Sequence, residues 1–516
     1  MAAVSSTEVG QVARAAARAV AAGDLEAARR LYTGCLGDEK AAAMVRADLA
    51  AVCLALGDNT AALRHASGRV VADKRGRAQV IRAKALRALK RMDAAAAAFE
   101  QAIATPQITT ELRHAAALEL ADLHLNTFGD PAGAAQRLEA VKGAASAARA
   151  SEARLLADLY LGARSPAELA AAFTRHARRY LRPPGATRRR AAGGARKRLP
   201  PMPRIPRIGI ISPSLGASPV GFLTVGAFRE LARESRLVYL DRGARKRDWL
   251  ADALRATATE WIDVAGKTPA ALLEVLQDAG LDALIDCGGW TDMDALAALA
   301  ARPVRRQFKW VGGQALTTGL DCFDGFLTDR WQVPPRCASL YTEPVLRFRG
   351  PYVTYTPPPY FDFGAAAAAA RRAPERGLLA LVSNPAKISE RTLAFVRRRK
   401  PKRLLLIDQR WRYQRTRQTF MPKLRDLCEH VEFVVPADHR EYLAVLRDTP
   451  ATFVDTRPYS MGLTAIELLL LGKTIIGPPH RAVELMSERH CLAHLNTGRF
   501  DDHGALAAQL LAWVRG

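Results

Sequence analysis

Three short stretches carry residue types that could handle a phosphorylated substrate. In Ser383–Ser389 one lysine, Lys387, stands between Asn384 and Ser389, after an apolar run and before a helix that Ser389 can cap, with Glu390 in its first turn. A cation there, near a site suited to anions, could neutralise a departing diphosphate. The second stretch, Asp455–Glu467, reads as strand end, turn and helix start. Gly462 permits close backbone approach, and the amides of Leu463 and Thr464 would face a phosphate with the helix dipole behind them. Glu467, one turn on, could accept hydrogen bonds from ribose hydroxyls. The third stretch, Asp286–Thr291, sets a carboxylate and the pair Gly288 and Gly289 at a strand end, which suits close substrate approach. The first two have a plainer reading: Lys387 as an exposed side chain, and Gly462–Glu467 as an ordinary helix start with a buried polar residue. Asp292 and Asp294 have the spacing of a D-x-D metal motif but open an Ala-rich helix, where carboxylates complement the dipole, so no metal ligand set is expected.

Such loops need strands ahead of them and helices behind. Beyond residue 205, short apolar runs alternate with helical segments, the signature of βαβ units with parallel strands. One block contains Arg207–Ile211, Leu237–Leu240, Ala283–Asp286 and Phe323–Leu327; a second contains Leu378–Val382, Leu404–Ile407, Val431–Val435, Thr452–Val454 and Thr474–Ile476. The expected architecture is two Rossmann-like domains, 205–356 and 378–516, joined by a linker at 357–377, with ligands beyond the carboxyl ends of the strands.

Residues 1–180 differ. Turn signals at Gly23, Gly57, Met92, Gly129 and Arg164 recur at the tetratricopeptide period, each followed by an Ala-rich helix. A helical solenoid is expected, either a cradle for a protein or peptide or a stack that only packs on its neighbour. A basic Pro/Gly-rich linker, 181–204, follows; no acidic residue occurs between Glu168 and Glu230, where 13 Arg and Lys fall. The chain of 516 residues carries a net charge of +25, from 62 Arg against 14 Lys. Aromatic residues are not interleaved with the basic run, which argues against nucleic acid as the partner. Seven scattered cysteines without a C-x-x-C pair fit a reducing cytoplasm, and neither a signal peptide nor a membrane span is expected.

The three loops, in this order, resemble glycosyltransferase family 41, which comprises the protein O-GlcNAc transferases, the SPINDLY proteins and cytoplasmic protein N-glucosyltransferases. The resemblance covers most of residues 205–500 and is carried by Ile208–Leu223, Leu284–Thr291, Ala301–Val304, Gln307–Gly312, Asn384–Ile388 and His439–Leu443 leading into the Asp455 loop. Fusion to tetratricopeptide repeats is similar to the O-GlcNAc transferases and to repeat-bearing flagellin glycosyltransferases. The resemblance implies a solenoid followed by an α/β GT-B fold. It implies inverting, metal-independent transfer of a sugar, GlcNAc as the first expectation, from a nucleotide-sugar donor, UDP-linked, to Ser or Thr of a protein acceptor such as flagellin. Lys387 then takes the place of the family's lysine on the donor diphosphate. Asn384, His439, Gly462, Leu463, Thr464, Glu467 and Gly312 fall at donor-side positions, and Gly289, Thr291 and Ser218 on the acceptor side. Asp286, Asp282 and Asp278 stand as candidates for the general base, Asp282 at the position of an active-site histidine.

The departures from the family pattern are specific. Ser218 precedes Pro219 where members commonly have a histidine, and only Asn59 and Asn126 occur before residue 180, so the asparagine ladder of some relatives is missing. A second expectation is therefore a repeat-bearing interaction protein whose transferase domain binds a donor without transferring it.

Overall fold

The computed structural model describes residues 6–181, 202–243, 248–369, 373–479 and 485–516; most of the basic linker, 182–201, lies outside the described residues. The chain divides into two units, residues 1–157 with 410–422, and 158–409 with 423–516.

In the first unit the repeat period is a period of helix caps. Asp24, Asp58 and Asp130 each accept a backbone N–H in the first turn of the helices Leu25–Thr33, Asn59–Ser67 and Pro131–Glu139. Such caps satisfy otherwise orphaned amides. Small residues let the paired helices approach: Ala95, Ala98, Phe99 and Ala102 are buried in one cluster with Leu86 and Leu120. Asp93 breaks the pattern. Its carboxylate accepts from the backbone N–H groups of Gln414 and Arg415, and Arg415 makes a two-pronged ion pair with Glu100 at 2.9 and 2.7 Å. Residues 410–422, which the sequence reading gave to the 378–516 domain, thus group with the helical unit.

In the second unit, twelve strands form two parallel sheets. The first holds β1 (Arg207–Ser212), β2 (Arg236–Asp241), β3 (Ala258–Asp263), β4 (Ala283–Asp286), β5 (Arg306–Lys309), β6 (Gly325–Asp329) and β7 (Val345–Phe348), in the order β3-β2-β1-β4-β5-β6-β7. The second holds β8 (Leu378–Leu381), β9 (Arg403–Ile407), β10 (His430–Val434), β11 (Thr452–Val454) and β12 (Ile475–Ile476), in the order β10-β9-β8-β11-β12. The strand order reverses between β1 and β4 in one sheet and between β8 and β11 in the other, where open α/β sheets leave a crevice for ligands. A tetratricopeptide-like helical region followed by a two-sheet GT-B domain is the observed fold class.

Two boundaries differ from the sequence reading. The helix Pro166–Tyr180, read as the last repeat, packs Phe173 edge-on to Trp290 at 4.4 Å, and Ala177 joins the core beneath β1 and β4. The C-terminal helix His503–Arg515 returns to the first sheet: Phe348 packs on Trp513 at 4.6 Å, and Arg306 donates to the Trp513 carbonyl. Gly226 permits that return, since a Cβ there would lie 2.3 Å from the His503 ring. The 357–377 segment contains a short helix, Phe363–Ala369.

Candidate active site

The switch point of the second sheet brings two of the three loops together. After β8 the chain makes a tight turn, Pro385–Lys387, in which Asn384 accepts from the Ala386 N–H at 3.0 Å. Ser389 then caps the helix Glu390–Arg399. Lys387 Nζ donates to the Ser460 carbonyl at 3.0 Å and sits 4.5 Å over the Tyr459 ring. The loop after β11 is closed by Asp455, whose carboxylate accepts from the Thr456 and Met461 N–H groups at 2.9 and 2.7 Å. Its other anchors are Thr392, which exchanges hydrogen bonds with the Arg457 backbone, and Ser487, whose carbonyl accepts from Ser460 N and Oγ. The helix Leu463–Leu470 starts without a side-chain cap, and a Cβ on Gly462 would meet nothing within 4 Å. Open space beside an uncapped helix start, with a lysine from the neighbouring loop bonded to the Ser460 carbonyl, is an arrangement that can hold a phosphate.

Sequence reasoning missed His490. Its ring packs on Tyr459 with centroids 5.3 Å apart, and its backbone N–H donates to Ser460 Oγ. Nε2 is buried with no hydrogen-bond partner among the described residues. Burial, helped by the Lys387 charge, pushes the imidazole down to about 3, so it is neutral at physiological pH. It lies in a stretch without motif character, and no signal in the sequence pairs it with Lys387.

Glu467 is 1% exposed. Its Oε1 accepts from His439 Nε2 at 2.9 Å and from the Tyr355 hydroxyl at 3.3 Å. Burial pushes its carboxyl up, and His439 opposes that shift. The other ring nitrogen of His439 meets the Tyr360 hydroxyl at 2.7 Å, and Phe222 packs on the ring at 4.9 Å. Thr464 Oγ1 accepts from the Tyr442 hydroxyl. His439 and Glu467 are therefore one unit, and a ribose hydroxyl would meet a carboxylate already held by a histidine and a tyrosine.

In the first sheet, two of the carboxylates considered as a base, Asp286 and Asp282, accept from backbone amides. Asp286, at the end of β4, is 1% exposed, and its oxygens accept from the Gly288 and Gly289 N–H groups at 2.8 and 3.0 Å. Lys309, at the end of β5 and fully buried, lies 3.7 Å from the carboxylate and donates to the Asp286 and Val311 carbonyls. Burial raises the Asp286 carboxyl and lowers the Lys309 ammonium, each opposed by the other's charge. Asp286 is a turn anchor without solvent access. Asp282 precedes β4 and accepts from the Arg207 N–H at 2.8 Å, at the amino ends of the strands. Asp278, at the end of the helix Pro269–Asp278, also enters β4 from that side.

Ser218, expected on the acceptor side, lies in the loop after β1, and Gly289 and Thr291, expected there too, lie after β4. Ser218 caps the helix Pro219–Leu231, accepting from Gly221 N and donating to the Ser214 carbonyl. Thr291 is exposed, its hydroxyl bonded to the Gly288 carbonyl at 2.7 Å. Gly289 (φ +51°) and Gly312 (φ +55°) let two loops touch, since a Cβ on Gly312 would fall 2.1 Å from the Cys287 carbonyl oxygen. Asp292 caps the helix Met293–Leu299 and is gripped by Arg242 at 2.8 and 3.1 Å. Among the described residues no three His, Cys, Asp or Glu cluster as a metal site, and no helix is long and apolar enough to cross a membrane.

No family profile matches the chain. In sequence it is similar to the probable UDP-N-acetylglucosamine--peptide N-acetylglucosaminyltransferase SPINDLY of Petunia hybrida, 25% identical over 156 residues, 30% of this chain and 17% of that one. The SPINDLY protein of Eustoma exaltatum is 27% identical over 273 residues, 49% of this chain and 29% of that one. The matches thus span less than a third of these two relatives. Among solved structures, an O-GlcNAc transferase mutant of Thermobaculum terrenum superposes with a TM-score of 0.71, at 23% identity and over 92% of each chain. The chain is thus similar in sequence to the SPINDLY proteins over part of their length, and in fold to an O-GlcNAc transferase over nearly its whole length.

Proposed function

We propose that the protein is a cytoplasmic glycosyltransferase that moves a sugar, GlcNAc in the first instance, from a UDP-linked donor to Ser or Thr of a protein, inverting the anomeric centre without a metal. The acceptor hydroxyl oxygen forms a bond to the anomeric carbon as the bond from that carbon to the diphosphate oxygen breaks. The diphosphate leaves with the electron pair, and the hydroxyl proton passes to water in the cleft. Lys387 and the amides of Leu463 and Thr464 hold the developing charge, where preorganised donors contribute most. His490 Nε2 supplies one further polar contact to the donor, and His439 with Glu467 orients the ribose. Asn384 shapes the lysine turn. Gly312 lies on the donor side, near the sugar, and Gly289, Thr291 and Ser218 line the acceptor side.

The observation that carries this reading is the 3.0 Å contact between Lys387 and Ser460, which joins the two loops at the strand-order reversal of the second sheet. The names of the SPINDLY relatives supply the choice of UDP-GlcNAc as donor. The test is calorimetric titration of UDP-GlcNAc into wild-type and Lys387→Met protein, followed by a UDP-release assay. Equal binding and equal release by the two proteins would remove Lys387 from the mechanism.

A further inference from the structure

In the helical unit a cavity of about 600 Å³ opens between the end of the helix Asn59–Ser67, the loop Gly68–Ala72 and the first two turns of the helix Arg75–Ala88. Its polar lining is dominated by Arg69, Arg75, Gln79 and Arg82, and no carboxylate lines it. Elsewhere in this unit several guanidinium groups find an acid: Arg29 pairs with Glu26, Arg46 with Glu39, Arg77 with Asp48 and Arg137 with Glu100. Arg69 and Arg75 are exposed, and among the described residues neither side chain makes an ion pair or hydrogen bond. Arg82 donates only to the neutral Gln101 amide oxygen, at 3.3 Å. Asp48, on the preceding helix, is occupied by Lys74 and Arg77. The Gln79 carbonyl oxygen accepts from Thr105, leaving its NH2 group as the remaining donor.

We propose that this cavity binds an acidic segment of a protein partner, its carboxylate or phosphate groups seated among Arg69, Arg75 and Arg82. Three planar guanidinium forks suit oxyanions, which they can grip two-pronged. No aromatic side chain lines the cavity, so it offers no platform on which nucleic-acid bases could stack. Recognition of acidic or phosphorylated motifs by arginine clusters is an established peptide-binding mode. Within the proposed function, and resting on it, the segment would belong to the acceptor; the binding itself does not depend on transfer.

Fluorescence anisotropy of the full chain with short labelled peptides tests this. The probes are a Glu-rich peptide, the same peptide with phosphoserine in place of glutamate, its Gln analogue and a single-stranded DNA oligonucleotide. The expected result is binding of the Glu-rich or phosphorylated peptide over the Gln analogue. That binding should weaken roughly 30-fold in an Arg69→Ala/Arg75→Ala/Arg82→Ala variant, as for loss of several charge-assisted contacts, and be unchanged by Arg64→Ala outside the cavity. Comparison of the two anionic peptides identifies the preferred oxyanion. Undiminished peptide binding by the triple variant overturns the proposal, as does DNA binding that is tighter than peptide binding and is lost in the same variant. If the triple variant misfolds by circular dichroism, Arg75→Ala alone carries the test. UDP-GlcNAc titration of both proteins separates the two ideas: loss of peptide binding with donor binding intact concerns the cavity alone, and failure of the wild type to bind donor concerns the transferase reading alone.

Discussion

Replacing Lys309 by methionine removes one member of the buried pair that fixes the loops after β4 and β5. Lys309 is fully buried and Asp286 is 1% exposed, with 3.7 Å between the charges. Methionine fills the space of the lysine stem but leaves the carboxylate without a counter-charge and the Val311 carbonyl without its donor. Breaking a buried pair from one side costs about 3–5 kcal/mol. At a urea slope of about 2 kcal/mol/M, that is a fall of roughly 1.5–2.5 M in the unfolding midpoint. Because Asp286 already sits above the ordinary carboxylate range, loss of the lysine raises its folded pKa further. An acid whose folded pKa is raised loses stability as pH climbs through the interval between the unfolded and folded values. The Lys309→Met deficit should therefore shrink at pH 5 relative to pH 7, by up to about 1.4 kcal/mol per pH unit. The Asp286→Asn/Lys309→Met double variant should cost less than the sum of the singles by about 1–3 kcal/mol. Urea unfolding of the four proteins at both pH values decides it. A Lys309→Met cost under about 1 kcal/mol, or additive costs with no pH dependence, would refute the reading of Asp286 as a structural anchor.

Four other outcomes follow from the same geometry. Lys387→Met should fold and lose about 10²–10³-fold in turnover, measured as UDP release, as for removal of one transition-state donor. His490→Ala should weaken donor binding severalfold in calorimetry and His490→Gln should restore part of it, whereas a ring that served only packing would not be rescued by an amide. Gly312→Ala should lower the melting temperature, because the added Cβ has 2.1 Å to the Cys287 carbonyl oxygen and a left-handed backbone to hold. Asp329, fully buried at the end of β6, has its carboxyl pushed up by burial to about 6. It should thus reduce stability by roughly 2 kcal/mol as pH rises from 4 to 6, and Asp329→Asn should flatten that slope.

The loops of the second sheet were legible because each follows an apolar strand and ends in a recognisable helix start: Leu378–Leu381 before Lys387, and Thr452–Val454 before Gly462. The repeat period was legible because it is a period of Asp caps. Three strands were not. β3 is an edge strand whose side chains are half-buried or exposed, β5 buries Gln307 and Lys309 where an apolar pattern is expected, and β7 is four residues long with only Phe348 buried. The roles of the carboxylates also escaped the sequence. Asp286 and Asp282 lie four residues apart, yet one ends a strand and the other precedes it, and a strand-end acid looks the same whether it faces a cleft or two backbone amides. Residues that act through distant partners, such as His490 on Tyr459 and His439 on Glu467, become visible only when the chain is folded.

The central claim is that Lys387 and the Gly462 turn form a nucleotide-sugar site that drives transfer. Its most direct test is titration of UDP-GlcNAc, with GDP- and CMP-sugars beside it, into wild-type and Lys387→Met protein, followed by UDP release with EDTA present. The account predicts one preferred donor, metal-free release of UDP by the wild type, and a folded Lys387→Met protein that loses release by at least about 100-fold. A folded wild type that binds none of these donors, or a Lys387→Met protein that releases UDP undiminished, would contradict it.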